Sequence, residues 1–426
     1  MPKAMIITVG GSDKPVVNAI KGYKEQIDII YFICSGGKGN VSSRNIVEGE
    51  GKVIKAKRCP KCKEIIEGED RENILKQSEY SGKYEIVEIS DPDDIEEVHQ
   101  KISTAISELE NKGYKEIIAD FTGGTKTMSA VLSMLAVSDF SLKLSLVKGQ
   151  RRNLERINGE SFPEILNVDF LRVEDKMKYI DLLISHYFYY PARIMIENLL
   201  KEDFAENLKK KIRYKLSLCK AFNYWDMFEY EKAFDTLKDF AEDERCEQHF
   251  KYLLKILGKD KNTGYEKVFD LISNARRQAS NGYYDNAVVR LYRALELFAQ
   301  IRLKSKYNVD SSALEKSLDK LKIKEENKNK WRERKNEKNE IKLGVKDDYE
   351  LLSQLQDEFG KIYSERKNEF NNHLQKRNSS KLAHGDKPIT KELWNDFFKF
   401  CKQFIISCLE KINLKSDFDL DFPTEF

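Results

Sequence analysis

The chain has 426 residues, 34% of them charged and 40% hydrophobic, with a formal net charge of +3. That length exceeds one typical core and points to two or three domains, while the apolar share supports globular packing beneath a densely ionic surface. So small a net charge excludes a uniformly basic nucleic-acid binder, and any basic patch must be local. No apolar run approaches the ~18 residues of a membrane span, and residues 1–11 read as a strand rather than a signal peptide, so a soluble, cytoplasmic protein is expected.

In chain order, short Ile/Val-rich runs at residues 5–9, 27–34, 84–89, 116–121 and 142–148 read as buried parallel strands. They alternate with helical patterns, the mark of an α/β sheet domain. One such helix spans residues 93–111, with Ile95, Val98, Ile102, Ala105, Ile106 and Leu109 at helical spacing and Asp91, Asp93 and Asp94 at its positive end. Between the second and third strands, Cys59-Pro60-Lys61-Cys62 forms half of a zinc knuckle. A structural zinc wants four ligands, so Cys34 or a symmetry mate would have to complete the site. The competing reading is a proline-containing turn on a surface insertion, and seven irregularly spaced cysteines suit reduced thiols.

From about Val173 onward only helical periodicity is visible. Residues 182–200 and 215–240 form a middle helical segment rich in Tyr and Phe, and AFNYWDMFEYEKAFDTLKDF reads as one helical hairpin without a fixed repeat period. Residues 321–348 are the most charge-dense stretch and read as a solvated excursion. The competing reading is an RNA-phosphate patch around Trp331 and Arg332.

Four strands end in loops without bulk: GGSDKP, SGGKGN, TGGTKT and KGQRRN. In an open parallel sheet these loops share the carboxyl edge, where ligands bind. Glycine lets backbone N–H groups approach an anion closely, and a following helix start adds partial positive charge. In DFTGGTKTMSAVLSMLA, Thr125 caps a helix whose Met128, Leu132 and Leu135 face the sheet, leaving Gly123, Gly124 and Lys126 at its mouth. This is not a Walker A loop, because Thr125 stands where the glycine before Lys126 would be, and Gly10-Gly11 lacks the dinucleotide spacing. With Lys126 and the Lys148, Arg151, Arg152 group, the edge points to a polyanionic ligand. Glycines that only turn and threonines that only cap are the structural alternative.

TVGGS after the first strand and DFTGGTKTMSA after the fourth resemble a CARF domain, the Rossmann-like sensor of CRISPR-associated proteins. The resemblance implies a homodimer that binds cyclic oligoadenylate across its two-fold axis. It also implies contacts from Gly10, Gly11, Ser12, Thr122, Gly123, Gly124, Thr125 and Lys126.

Late in the chain, RNSSKLAHG sets Arg377 and His384 among small polar residues. Histidine changes charge near neutrality, and the permanently charged arginine fork grips phosphate bidentately. Together they suffice for RNA cleavage without a metal. The ribose 2′-hydroxyl attacks the adjacent phosphate, His384 shuttles or donates a proton, and Arg377 holds the charge building on the phosphoryl oxygens. The products would carry a 2′,3′-cyclic phosphate and a 5′-hydroxyl. A helix from Phe370 would bear Arg377 near its end, and Gly385 and Pro388 would close the loop before a new helix at Thr390. Against this stands the common structural use of such residues, a salt bridge for the arginine and a helix cap for the histidine.

RNSSKLAH resembles the R-x(4-6)-H signature of HEPN ribonucleases, with Asn378 at the polar position after the arginine. YYDNAVVRLYRALELFAQIRL resembles their paired helix, with Ala287, Leu291, Ala294, Leu295 and Phe298 toward the core and Arg290, Arg293 and Glu296 as polar candidates. The resemblance implies a composite cleft between two subunits.

The expected fold is α/β plus all-α: a Rossmann-like parallel sheet (CARF) in residues 1–172, a middle helical connecting segment in 173–263 and a C-terminal helical HEPN domain in 264–426. The expected function is a cyclic-oligoadenylate-activated, metal-independent single-stranded RNA endoribonuclease of type III CRISPR antiviral defence, with no cofactor beyond its activator. Two alternatives stay open, a non-catalytic sensing regulator that binds RNA or a protein partner, and a nucleotide-dependent enzyme acting at the N-terminal crevice. Cleavage of the activator itself, positioned by Thr122, Ser12 and Lys126, is also left open.

Overall fold

Strands β1 (Lys3–Val9), β2 (Ile29–Ser35), β3 (Lys83–Ile89), β4 (Glu116–Asp120), β5 (Leu142–Lys148) and β6 (Phe162–Ile165) join one sheet in the order β6-β5-β4-β1-β2-β3. The computed structural model describes residues 2–36, 42–54, 57–58, 65–66, 69–149, 151–152, 155–156, 161–378, 380–381, 385–416, 418 and 420–426. By contacts the chain divides into two units, Met1–Lys178 and Tyr179–Phe426.

In the first unit, alternate side chains of β1 go to opposite faces. Ala4 and Ile6 join the core of helices α2 (Ile95–Asn111) and α3 (Lys126–Ser138), while Met5, Ile7 and Val9 join that of α1 (Lys14–Tyr23). A strand buried on both faces must be apolar at every position, which is why KAMIITV and IIYFICS stand out in the sequence. β3 differs from expectation: it is the sheet edge and only Ile89 is buried, its exposed positions carrying Lys83, Glu85 and Glu88. Ile95, counted on the core face of its helix, is the first helical residue and is 56% exposed. The sixth strand is missing from the sequence reading. FPEI is short, antiparallel to β5, and carries a proline that an edge strand tolerates.

Helices make up the second unit, joined by α4 (Asp169–Ser185), which crosses the division between the two. They are α5 (Tyr189–Leu199), α6 (Glu206–Asp226), α7 (Tyr230–Leu237), α8 (Glu247–Ile256), α9 (Glu266–Ser280) and α10 (Tyr284–Tyr307). They continue with α11 (Glu325–Arg332), α12 (Val345–Gln354), α13 (Glu358–Glu365), α14 (Lys367–Asn378) and α15 (Lys391–Glu410).

Three of the interhelical turns are the same turn. Tyr187, Phe228 and Gly282 take left-handed φ values of 62°, 61° and 80°. The next residues, Phe188, Glu229 and Tyr283, have φ near −83° and ψ near +60°. Each of these donates its N–H five residues back, to Leu183, Tyr224 and Gln278, closing the preceding helix. A tyrosine follows each time, and a fully buried alanine three residues later: Ala192, Ala233 and Ala287. The middle segment is therefore built of helical hairpins at unequal intervals, and its stretch 182–200 divides at Tyr187 into the end of one helix and the whole of the next.

Residues 321–348 are packed, which corrects the reading of a solvated excursion. Trp331 is 4% exposed and its Nε1 donates to Gln354 Oε1 at 2.9 Å. Leu321, Ile341, Leu343 and Val345 bury around the same core. Arg332 is paired with Asp319 and Glu325, and Arg334 grips Asp347 through two hydrogen bonds, so the cations near Trp331 are already engaged within the chain. The apolar residues here are few and irregularly spaced, so the dense charge between them conceals the pattern.

Candidate functional site

The chain runs outward from β1 through β2 to β3, then crosses to the far side of β1 for β4 and β5. The strand order thus reverses between β1 and β4, and the crevice beyond their carboxyl ends is where doubly wound sheets hold ligands. Of the four glycine-bearing loops, the two at this point are Gly10-Gly11-Ser12 and Thr122-Gly123-Gly124-Thr125. Residues 37–41 of the second loop and 150, 153 and 154 of the last lie outside the described residues.

The two loops interlock. Thr8 Oγ1 donates to Gly123 O at 2.7 Å, and a Cβ on Gly123 would stand 2.2 Å from Thr8 O. Gly124 holds φ +81°, a left-handed conformation costly for any other residue. Thr125 caps α3 as expected, accepting from Met128 N at 3.3 Å, and its hydroxyl donates to Pro92 O at 2.9 Å. Thr122 Oγ1 accepts from Val147 N at 2.8 Å. Both threonines therefore shape the loop. Gly11, Ser12 and Lys126 are exposed at its rim, Gly10 is buried, and Lys126 and Thr127 head α3 where backbone N–H groups lack intrahelical acceptors.

Asp120 is completely buried below this loop. Its carboxylate accepts from Thr122 N at 3.0 Å and from Ser145 Oγ at 2.8 Å, and Ser145 is within 3.3 Å of the Tyr23 hydroxyl. Burial pushes the carboxyl pKa up, against those hydrogen bonds. Asp120 anchors the loop, and it faces no histidine that would make it half of a catalytic pair among the described residues.

One rim residue escaped the sequence reading. Lys52 donates its ammonium to Gly11 O, bringing a cation from the segment after β2 to the mouth of the crevice. Nearby, Arg71 and Gln77 hold the buried Asp13 at 3.0 and 3.1 Å; burial alone would raise its pKa, yet these partners keep it low. Nothing in the local pattern of GKVIK marks Lys52, since only the folding-back of the segment brings it to Gly11.

Cys59 and Cys62 lie outside the described residues. Cys34, the proposed third zinc ligand, is fully buried in β2, and burial pushes its thiol up to about 12. Metal ligation uses the thiolate, so Cys34 is a core residue. Among the described residues no cluster of three or more His, Cys, Asp or Glu is arranged for a metal, and no helix is long and apolar enough to cross a membrane.

In the helical unit, α14 buries Phe370, His373 and Leu374, a stripe at i, i+3 and i+4 whose next member is Arg377. That spacing turns the arginine inward to the edge of the core. Its guanidinium carbon lies 4.3 Å from the ring centroid of Tyr292 on α10, and Nη1 donates to Asn378 Oδ1 at 3.0 Å. Among the described residues its buried Nε has no hydrogen-bond partner. Among the described residues Arg377 makes no ion pair, which removes the salt-bridge reading for this residue.

The acids around Tyr292 are otherwise occupied. Asp347 is held by Arg334 and Glu296 by Arg293, while burial pushes the Asp348 carboxyl up to about 8. Arg293 and Glu296 pair with each other, and Arg290 turns to Asn274 on α9, so neither arginine joins Arg377.

Beyond α14, Ser380 N donates to Arg377 O and Gly385 N to Ser380 O, each at 3.0 Å. Ser380 and Lys387 form a bridge, and Thr390 caps α15. His384 lies outside the described residues. His373, the described histidine nearest in sequence, stacks on Phe397 and Phe400 at 5.3 and 4.6 Å, and burial lowers its pKa, so it is a core residue.

A Rossmann-like sheet with an anion-suited switch point is followed by helices that present an arginine without an ion pair among the described residues, an arrangement of sheet and helices matched by known proteins. Residues 258–407 match the family model described as the Csm6 HEPN domain. Among solved structures, Enterococcus italicus Csm6 bound to cyclic hexa-2′-fluoro-hexa-dAMP has a similar fold, with a TM-score of 0.57 and 13% sequence identity over 96% of this chain and 95% of that chain. No curated protein matches the sequence. The chain thus shares the overall fold of that Csm6 protein, and its residues 258–407 resemble the Csm6 HEPN domain.

Proposed function

We propose that this protein is a single-stranded RNA endoribonuclease of type III CRISPR defence, switched on by cyclic oligoadenylate. The observation that carries the reading is Arg377. It is a guanidinium at the end of a helix within the HEPN-like region, held on an aromatic ring and without a carboxylate partner among the described residues, so its charge is available to a phosphate. Arg377 would stabilise the phosphoryl oxygens, Asn378 would orient the guanidinium, and His384 would move the proton as the 2′-hydroxyl attacks. Chain connectivity supports the pairing, since His384 stands seven residues after Arg377 and immediately before Gly385, whose N–H is bonded to Ser380 O. Such chemistry needs no metal and leaves a 2′,3′-cyclic phosphate.

In this reading residues 1–172 sense the activator, 173–263 connect, and 264–426 cleave. Two subunits pair to complete both clefts. The switch-point rim supplies Gly10, Gly11, Ser12, Thr122, Gly123, Gly124, Thr125 and Lys126 to the activator's phosphates, which backbone N–H groups and a lysine suit. Ligand binding shifts the helical pair toward cleavage only if its affinity differs between the two states.

The test is cleavage of a fluorescent RNA in EDTA with cyclic tri-, tetra- and hexa-adenylate. Cleavage with one ring size, lost in Arg377→Ala and in His384→Ala, is expected. Lys126→Ala should demand more activator while keeping the chemistry. Tight activator binding without cleavage by any ring size would replace the ribonuclease with a sensing regulator.

A further inference from the structure

We propose that Tyr292 is the positioning residue of Arg377, holding the guanidinium by its ring face in the orientation that receives a scissile phosphate. This rests on the ribonuclease reading for its consequence, though not for its geometry. The guanidinium carbon stands 4.3 Å from the Tyr292 centroid. An arginine is ordinarily fixed by hydrogen bonds from its fork, but here, among the described residues, Nε is buried and unpartnered and one bond runs from Nη1 to the adjacent, exposed Asn378. The ring face therefore does most of the holding, and it does so without consuming donors. A carboxylate in the same place would both orient the fork and neutralise it, whereas a π face attracts the cation while its N–H edge stays free for two phosphoryl oxygens.

The scaffold beneath Tyr292 is rigid. Its neighbours on α10, Val288, Leu291 and Leu295, are at most 2% exposed, and α10 belongs to the largest core of the helical unit. Arg377 comes from a different helix, at its last turn, seven residues before His384 in the sequence. A ring fixed on α10 thus ties the guanidinium of Arg377 to the packed core. Glu296, one turn along, would compete for the guanidinium if it were not paired with Arg293.

The experiment compares full-length wild type, Tyr292→Phe and Tyr292→Leu, with two readouts. In protein labelled with ¹⁵N-arginine, the Nε–H signal of Arg377, assigned by its loss in Arg377→Lys, should lie upfield from the ring current. It should stay there in Tyr292→Phe and move to the position of an ordinary arginine in Tyr292→Leu. In activator-stimulated RNA cleavage, Tyr292→Leu should lower kcat by about three- to thirtyfold, as loss of one partly desolvated cation–π contact would, with KM little changed. Tyr292→Phe should restore most of the rate. An unshifted Arg377 signal in wild type, or Tyr292→Leu turning over at the wild-type kcat, overturns the proposal. A shifted signal in a wild-type protein that cleaves no RNA would uphold the positioning and sink the ribonuclease reading instead.

Discussion

The Thr8 hydroxyl donates to the Gly123 carbonyl at 2.7 Å, fastening the end of the first strand to the loop after the fourth, on either side of the point where the strand order reverses. Both groups are buried, so the bond has no water to replace it. Thr8→Val keeps the shape and leaves the Gly123 carbonyl only its second bond, from Ser129 Oγ at 3.0 Å, a cost of about 0.5–1.5 kcal/mol for the one hydrogen bond lost. The unfolding midpoint of the first unit should fall, and the activator concentration for half-maximal cleavage should rise. An unchanged activation curve would show that the crevice tolerates a loose loop.

Lys52 reaches the same rim from the segment after β2. If phosphates bind there, Lys52→Ala should raise the activator requirement several-fold and steepen nothing else, and its effect should shrink as salt is added, because an exposed cation acts through screened attraction. Titrating activator at low and high salt measures both. A salt-independent effect would mean that Lys52 matters only to the Gly11 carbonyl.

Asp348 supplies a pH dependence with a definite sign. Its carboxyl is pushed up to about 8, first by burial, with Glu296 and Asp347 adding to it and the Ser311 hydrogen bond and Arg293 opposing. In the unfolded chain it titrates near ~3.9, so between those values the folded protein holds the extra proton and stability falls as pH rises. The slope for one such group is at most ~1.4 kcal/mol per pH unit. Urea midpoints measured from pH 5 to 8 should decline less in Asp348→Asn than in wild type. Parallel profiles would assign the decline to another group.

Phe422 closes the helical unit from the chain's other end. It is 2% exposed, stands 5.0 Å from Trp225 and 5.1 Å from Phe222, and lies 3.6 Å from the buried guanidinium carbon of Arg277. Truncating a buried phenylalanine costs about 3–5 kcal/mol. Phe422→Ala should lose that range or more, since it also uncovers a cation whose Nη atoms lack hydrogen bonds among the described residues. Tyr189 holds the neighbouring Pro423 carbonyl at 2.7 Å, so Tyr189→Phe should reproduce a small part of the loss.

Much of the first unit was readable because buried parallel strands leave no polar positions. KAMIITV and IIYFICS could hardly be anything else, and Thr125 announces its helix by chemistry that is local to four residues. The edge strand FPEI and the packed Trp331 region were not readable for the opposite reason. Their apolar residues are few, and their burial depends on partners far along the chain. The Tyr-x-x-Ala that follows each of three identical turns was present in the sequence, but its unequal spacing hid it from any search for a period.

At the candidate sites the division is similar. Residue chemistry marked Arg377, Asn378, Lys126 and the glycines, since a guanidinium, an ammonium and bare backbone N–H groups have few equivalents as anion ligands. Burial and proximity then sorted them: Thr122 and Thr125 became scaffold, Lys52 arrived at the rim, and Tyr292 came under the arginine.

Local chemistry and hydrophobic spacing were enough to establish the two kinds of unit and which side chains have the means to hold phosphate, because both act between residues close in the chain. Which of those side chains keep a free charge was decided by the fold alone. Whether an arginine meets a carboxylate or an aromatic ring depends on helices almost a hundred residues apart coming together, as α10 and α14 do at Tyr292 and Arg377.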